Sequence, residues 1–216
     1  MQLYFKSRVD AATIGFLVLP ATDSELNDFL KGNIHTAIGN GDFVTMACVG
    51  NYNPWNKPII ISIKESEILD QWNLVATKIS KMTEDTANVA LGYCYNNNIK
   101  DPLQILNVLM QPQEFNYYIL PAEESGESLH ARVGKACLES MPGFMKAVKE
   151  FGLESYIDYE KAGYDNITDG YIVDDRYFVI HGNDPNLKLY PSLSILQKAV
   201  NFENSLSGDI SDFLDI

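Results

Sequence analysis

Between Glu150 and Asp175 the chain carries eight carboxylates (Glu150, Glu154, Asp158, Glu160, Asp165, Asp169, Asp174 and Asp175) against a single lysine, Lys161. The same stretch holds Phe151, Leu153, Tyr156, Ile157, Tyr159, Tyr164, Ile167, Tyr171 and Ile172. A disordered acidic tail lacks the apolar residues needed to offset chain entropy. This segment has them, so it is expected to fold and to hold its charges in fixed positions.

The charge is unevenly spread. Residues 1–110 hold 11 acidic and 8 basic side chains, and residues 111–216 hold 18 and 8. With a net charge of −13 the protein repels nucleic acid and anionic lipid and attracts basic surfaces. Its 16 Lys and Arg form no cluster, so neither direct nucleic-acid binding nor membrane binding is expected. Charge alone is equally compatible with plain solubility. Cys48, Cys94 and Cys137 are widely spaced and form no Cys-x-x-Cys, which predicts buried free thiols and a cytoplasmic location. No apolar run is long enough to span a membrane.

Residues 1–63 read as a β-rich domain. Leu3, Phe5 and Val9 alternate, and Ile14 to Leu19 is a compact apolar run stopped by Pro20. Thr22-Asp-Ser-Glu25 caps a short helix to Leu30. A turn at Gly39–Asp42 and strands at 43–49 and 58–63 follow. Residues 64–112 read as a helical domain. Ile68, Leu69, Trp72, Val75, Ala76, Ile79 and Met82 form one amphipathic stripe. Thr83 caps a second helix, and Asp101-Pro102 opens a third.

Residues 113–200 read as an acidic α+β domain, with 201–216 as an acidic tail. The expected elements are a strand at 114–120, a helix from Ser128 to Ser140, and a helix from Phe144 to Phe151. Leu153 to Ala162 is expected to continue helically with Gly163 ending it, and 171–180 forms a hairpin. Pro191 to Val200 is a last helix. On a continuous helix Glu150, Glu154 and Asp158 would line one face about 6 Å apart. The plain alternative is a solvated helix face. The fold class is therefore α+β, elongated, with a small antiparallel sheet, a helical middle and a mixed C-terminal part.

Enzymatic motifs are sparse. His35, His130 and His181 stand in no metal-binding spacing, and the aspartates from Asp165 to Asp175 fail the EF-hand pattern. No metal or cofactor is expected. His130 and Cys137 sit seven residues apart on one helix, about 10 Å along its axis. That is too far for a thiol–imidazole pair, so no catalytic residue and no enzymatic activity are expected.

Tyr156-Ile-Asp-Tyr-Glu160, then Gly163, Asp165 and Gly170-Tyr-Ile172, resembles the C-terminal signature of the ArdA-type antirestriction proteins. Asn73-Leu-Val-Ala-x-x-Ile-Ser80 resembles that family's helix after its N-terminal sheet. The resemblance spans roughly residues 65–180. It implies a homodimeric DNA mimic that occupies the DNA-binding groove of a type I restriction–modification enzyme. Asp158, Glu160 and Asp165 would be the motif carboxylates, with Tyr156, Ile157, Tyr159 and Gly163 packing and terminating the helix. The net charge is milder than is usual in that family, and residues 184–216 extend past its typical end. An alternative partner is another basic nucleic-acid channel, such as that of a CRISPR effector. A hydrolase using Cys137 and His130, or a structural accessory of a mobile element, are further alternatives.

Overall fold

The structure, a computed structural model, describes residues 1–7, 13–31, 43–48, 59–61, 66–124, 126–180, 187 and 193–202. The anticipated turn at Gly39–Asp42, His35, His181 and residues 203–216 lie outside the described residues. The protein is α+β and divides into two compact units. One comprises Met1–Pro112 with Leu187–Ile216; the other is Gln113–Asn186.

The first unit opens with strands β1 (Gln2–Ser7) and β2 (Thr13–Val18). Helix α1 (Asp23–Lys31) and strands β3 (Phe43–Cys48) and β4 (Ile59–Ile61) follow. The strands form one antiparallel sheet in the order β2-β1-β3-β4. Thr22 Oγ1 accepts from the Glu25 amide at 3.3 Å, and Glu25 Oε2 accepts from the Thr22 amide at 2.8 Å. This reciprocal capping box fixes the start of α1.

Three helices come next: α2 (Ser66–Ile79), α3 (Glu84–Asn96) and α4 (Pro102–Leu109). The predicted stripe is the buried face of α2, with Leu69, Trp72, Val75, Ala76 and Ile79 all in the core. Thr83 Oγ1 caps α3 and Asp101 Oδ1 caps α4, each accepting from an amide three residues on. The side chain of Asn73 on α2 both accepts from and donates to the backbone of Ala21, at 2.8 and 2.9 Å. It thereby clamps the segment that enters α1. A late helix, α8 (Leu193–Phe202), packs against α2 and α4 and buries Leu196 and Val200. Sequence patterning alone groups it with residues 113–200.

The second unit is a three-stranded antiparallel sheet backed by helices. Strands β5 (Tyr117–Ile119), β6 (Gly170–Val173) and β7 (Tyr177–Ile180) run in the order β5-β7-β6. β5 is shorter than the expected 114–120 because Pro112–Glu114 forms a 3-10 turn. Helices α5 (Leu129–Glu139), α6 (Phe144–Glu150) and α7 (Tyr159–Ile167) complete the unit. The apolar face expected for α5 is its core face. Val133 and Cys137 are buried with Leu120 and Phe178, and Leu129 and Ala136 pack at the edge.

One expectation fails. Leu153 to Ala162 is not a helix, and Gly163 does not end one. Glu154–Tyr156 is an isolated 3-10 turn, and α7 begins only after Asp158. Gly163 lies inside α7, buried where α7 crosses α5. Side chains there would collide: a Cβ on Gly163 would overlap the His130 carbonyl, and one on Gly134 would overlap the Tyr159 carbonyl. Close helix approach, not helix termination, is what selects these glycines.

Candidate acidic binding surface

The chain from Val148 to Lys161 runs through three consecutive turns, the first closed by backbone bonds at its end and the last capped by a side chain. α6 ends with Gly152 at φ +63°, a conformation that suits glycine. The Leu153 amide donates to Val148 O at 2.9 Å and the Gly152 amide to Lys149 O at 3.3 Å. That pair of bonds is a Schellman closure, which satisfies the last carbonyls of the helix. The 3-10 turn follows, with the Tyr156 amide on Leu153 O at 3.0 Å. Asp158 Oδ1 then accepts from the Lys161 amide at 2.9 Å and caps α7.

The anticipated ladder of Glu150, Glu154 and Asp158 along one helix therefore does not exist. Glu150 ends α6, Glu154 opens the 3-10 turn and Asp158 is a cap. An N-cap residue has non-helical backbone, so a helix running through Asp158 was excluded by that residue's own role. The side chains of Glu150, Glu154, Asp158, Glu160, Asp165, Asp169 and Asp175 are all exposed. Lys146, Lys149 and Lys161 are exposed in the same stretch.

Asp174 differs from the other seven. Its side chain is only 10% exposed and pairs with Arg176 at 3.2 Å, so it is engaged inside the protein. Asp174 and Asp175 adopt left-handed φ of 54° and 50° and form the β6–β7 turn, closed by the Arg176 amide on Val173 O at 3.1 Å. Aspartate tolerates that conformation better than most residues. The Arg176 guanidinium also lies 5.4 Å from the centre of the Tyr177 ring. The turn is anchored from beneath by the buried Arg132. Its Nη2 donates to Asp175 O at 2.6 Å and its Nε to Pro121 O at 2.8 Å.

Several aromatics expected to brace the segment point outward instead. Tyr156 is 82% exposed and Phe151 71%, and Leu153 is exposed beside them. Tyr164 stacks on His130 with ring centres 3.8 Å apart. His130 is thus engaged with an aromatic ring, while Cys137 sits in the hydrophobic core. Burial pushes the Cys137 and Cys94 thiols up from their ordinary value, away from the reactive thiolate.

Among the described residues, no group of His, Cys, Asp and Glu is arranged to hold a metal ion. No described helix is long and apolar enough to cross a membrane. No protein-family model matches the chain, and neither curated proteins nor solved structures give a match.

Proposed function

We propose that the protein is a non-enzymatic mimic of nucleic acid that occupies the DNA-binding groove of a type I restriction–modification enzyme. The observation that supports this reading most is the run of exposed carboxylates carried on hydrogen-bonded turns. Glu150, Glu154, Asp158, Glu160, Asp165, Asp169 and Asp175 reach solvent from backbone that is hydrogen-bonded turn by turn. The resemblance of Tyr156–Glu160 and its flanking residues to the ArdA-type signature points the same way. In this reading the carboxylates stand where phosphates would, and the groove's Lys and Arg pair with them. Each exposed ion pair contributes little alone. Binding therefore rests on many pairs held in place, and weakens as salt screens them.

The test is inhibition of DNA cleavage by a purified type I restriction enzyme, measured at graded salt. The wild-type protein is expected to inhibit, and less so as salt rises. Changing Glu150, Glu154 and Glu160 to Gln, and Asp158, Asp165, Asp169 and Asp175 to Asn, is expected to abolish inhibition. Asn at position 158 keeps the helix cap, so the variant is expected to stay folded by circular dichroism. Undiminished inhibition by this folded variant, or none by the wild type, rejects the proposal.

A further inference from the structure

A pure phosphate mimic has no use for exposed rings, yet Tyr156 and Phe151 are among the most exposed large apolar side chains described. They alternate along the chain with exposed carboxylates: Glu150, Phe151, Glu154, Tyr156, Asp158. The backbone that carries both kinds of group is hydrogen-bonded turn by turn.

One cationic side chain satisfies both groups together. The planar guanidinium of arginine pairs with a carboxylate through two parallel bonds and stacks on an aromatic face. Lysine, a compact and strongly hydrated point charge, does the first less well and the second weakly. The molecule already contains this composite once, where Arg176 pairs with Asp174 and lies over the Tyr177 ring.

We infer that the strip from Glu150 to Asp158 docks an arginine-rich segment of a partner protein, and that it selects arginine over lysine. The inference rests on the mimic reading and names the chemistry that such a partner must present. A second copy of this chain is a poor occupant. It brings a net charge of −13 and only three arginines. Of these, Arg132 is buried on backbone carbonyls and Arg176 is engaged with Asp174. Arg8 is the third, and charge repulsion opposes its approach.

Fluorescently labelled hexa-arginine and hexa-lysine peptides serve as probes, titrated into the full-length protein at fixed ionic strength. Hexa-arginine is expected to bind roughly five-fold more tightly than hexa-lysine, the scale of exposed cation–π contacts. The double variant F151L/Y156L keeps apolar bulk but removes the rings, and is expected to bring the two affinities within about two-fold. The variant F151Y/Y156F keeps both rings and is expected to keep the preference. Both positions changed are exposed, and thermal melts check that each variant is folded.

Equal binding of the two peptides by the wild type, lost when the carboxylates become amides, overturns the arginine inference and leaves the mimic reading standing. A preference that survives F151L/Y156L also overturns it. Absence of salt-dependent binding to either peptide removes both. Self-association of the wild type that is abolished by F151L/Y156L would assign the strip to a second copy and overturn the inference.

Discussion

Gly163 on α7 lies against the backbone of His130 on α5, close enough that a Cβ on the glycine would overlap the His130 carbonyl oxygen. The contact is reciprocal. A Cβ on Gly134 would overlap Tyr159 O and stand 2.7 Å from the Gly163 amide nitrogen. Neither obstacle is a side chain that can swing away. G163A and G134A are each expected to destabilise the protein by about 2 kcal/mol or more through overpacking. In an ordinary exposed helix interior, Gly to Ala would instead stabilise by about 1 kcal/mol. Urea unfolding monitored by circular dichroism gives the sign, and a gain in stability would show that the helix crossing has room for the added methyl group.

Arg132 ties two distant stretches to α5, with Pro121 O on one side and Asp175 O on the other. Both acceptors are neutral carbonyls, so the arginine acts as a fixed double donor. Both bonds are part-buried, and hydrogen bonds to a charged group contribute about 1.5–3 kcal/mol. R132M, which keeps much of the aliphatic bulk, is expected to lose stability on that scale. Amide exchange should accelerate at the β6–β7 turn more than in α3. Uniform exchange across both would mean that the arginine anchors nothing local.

The Glu25 carboxylate accepts from the Thr22 amide and hydroxyl, and these bonds hold its pKa below the ordinary value of 4.5. A group whose folded pKa is depressed adds stability above its unfolded value. That stability is lost as pH falls through the lowered folded value. Protection of the first-turn amides of α1 is therefore expected to be full above about pH 5 and to decline in acid. E25Q is expected to flatten this dependence, because the amide does not titrate. NMR-detected amide exchange between neutral and acid pH reads it directly; an identical profile in E25Q would assign the acid sensitivity to another group.

Much of the architecture was legible in local sequence. The stripe from Leu69 to Ile79, the caps at Thr22, Thr83 and Asp101, and the Asp174-Asp175 hairpin all depend on neighbours a few residues away, and such signals are written in order along the chain. The failures are equally informative. Gly163 has the composition of a helix stop, but its role is set by α5, a tertiary partner that local patterning does not show. Phe151 and Tyr156 fit an amphipathic face if α6 continues, and become outward-facing once Gly152 ends it. The eight acidic positions were visible, but not that Asp174 is consumed by Arg176, whose reach depends on the left-handed turn between them. Asn73, the first residue of the Asn73–Ser80 motif, owes its structural importance to Ala21, 52 residues away.

The first unit is assembled from two separate stretches, and α8 supplies Leu196 and Val200 to a core otherwise made by residues before Pro112. A ribosome reading this message must finish the whole of the second unit before that helix exists. Until then the side of helices α2 and α4 that receives α8 stays uncovered, so the first unit is complete only after every residue of the second has been made.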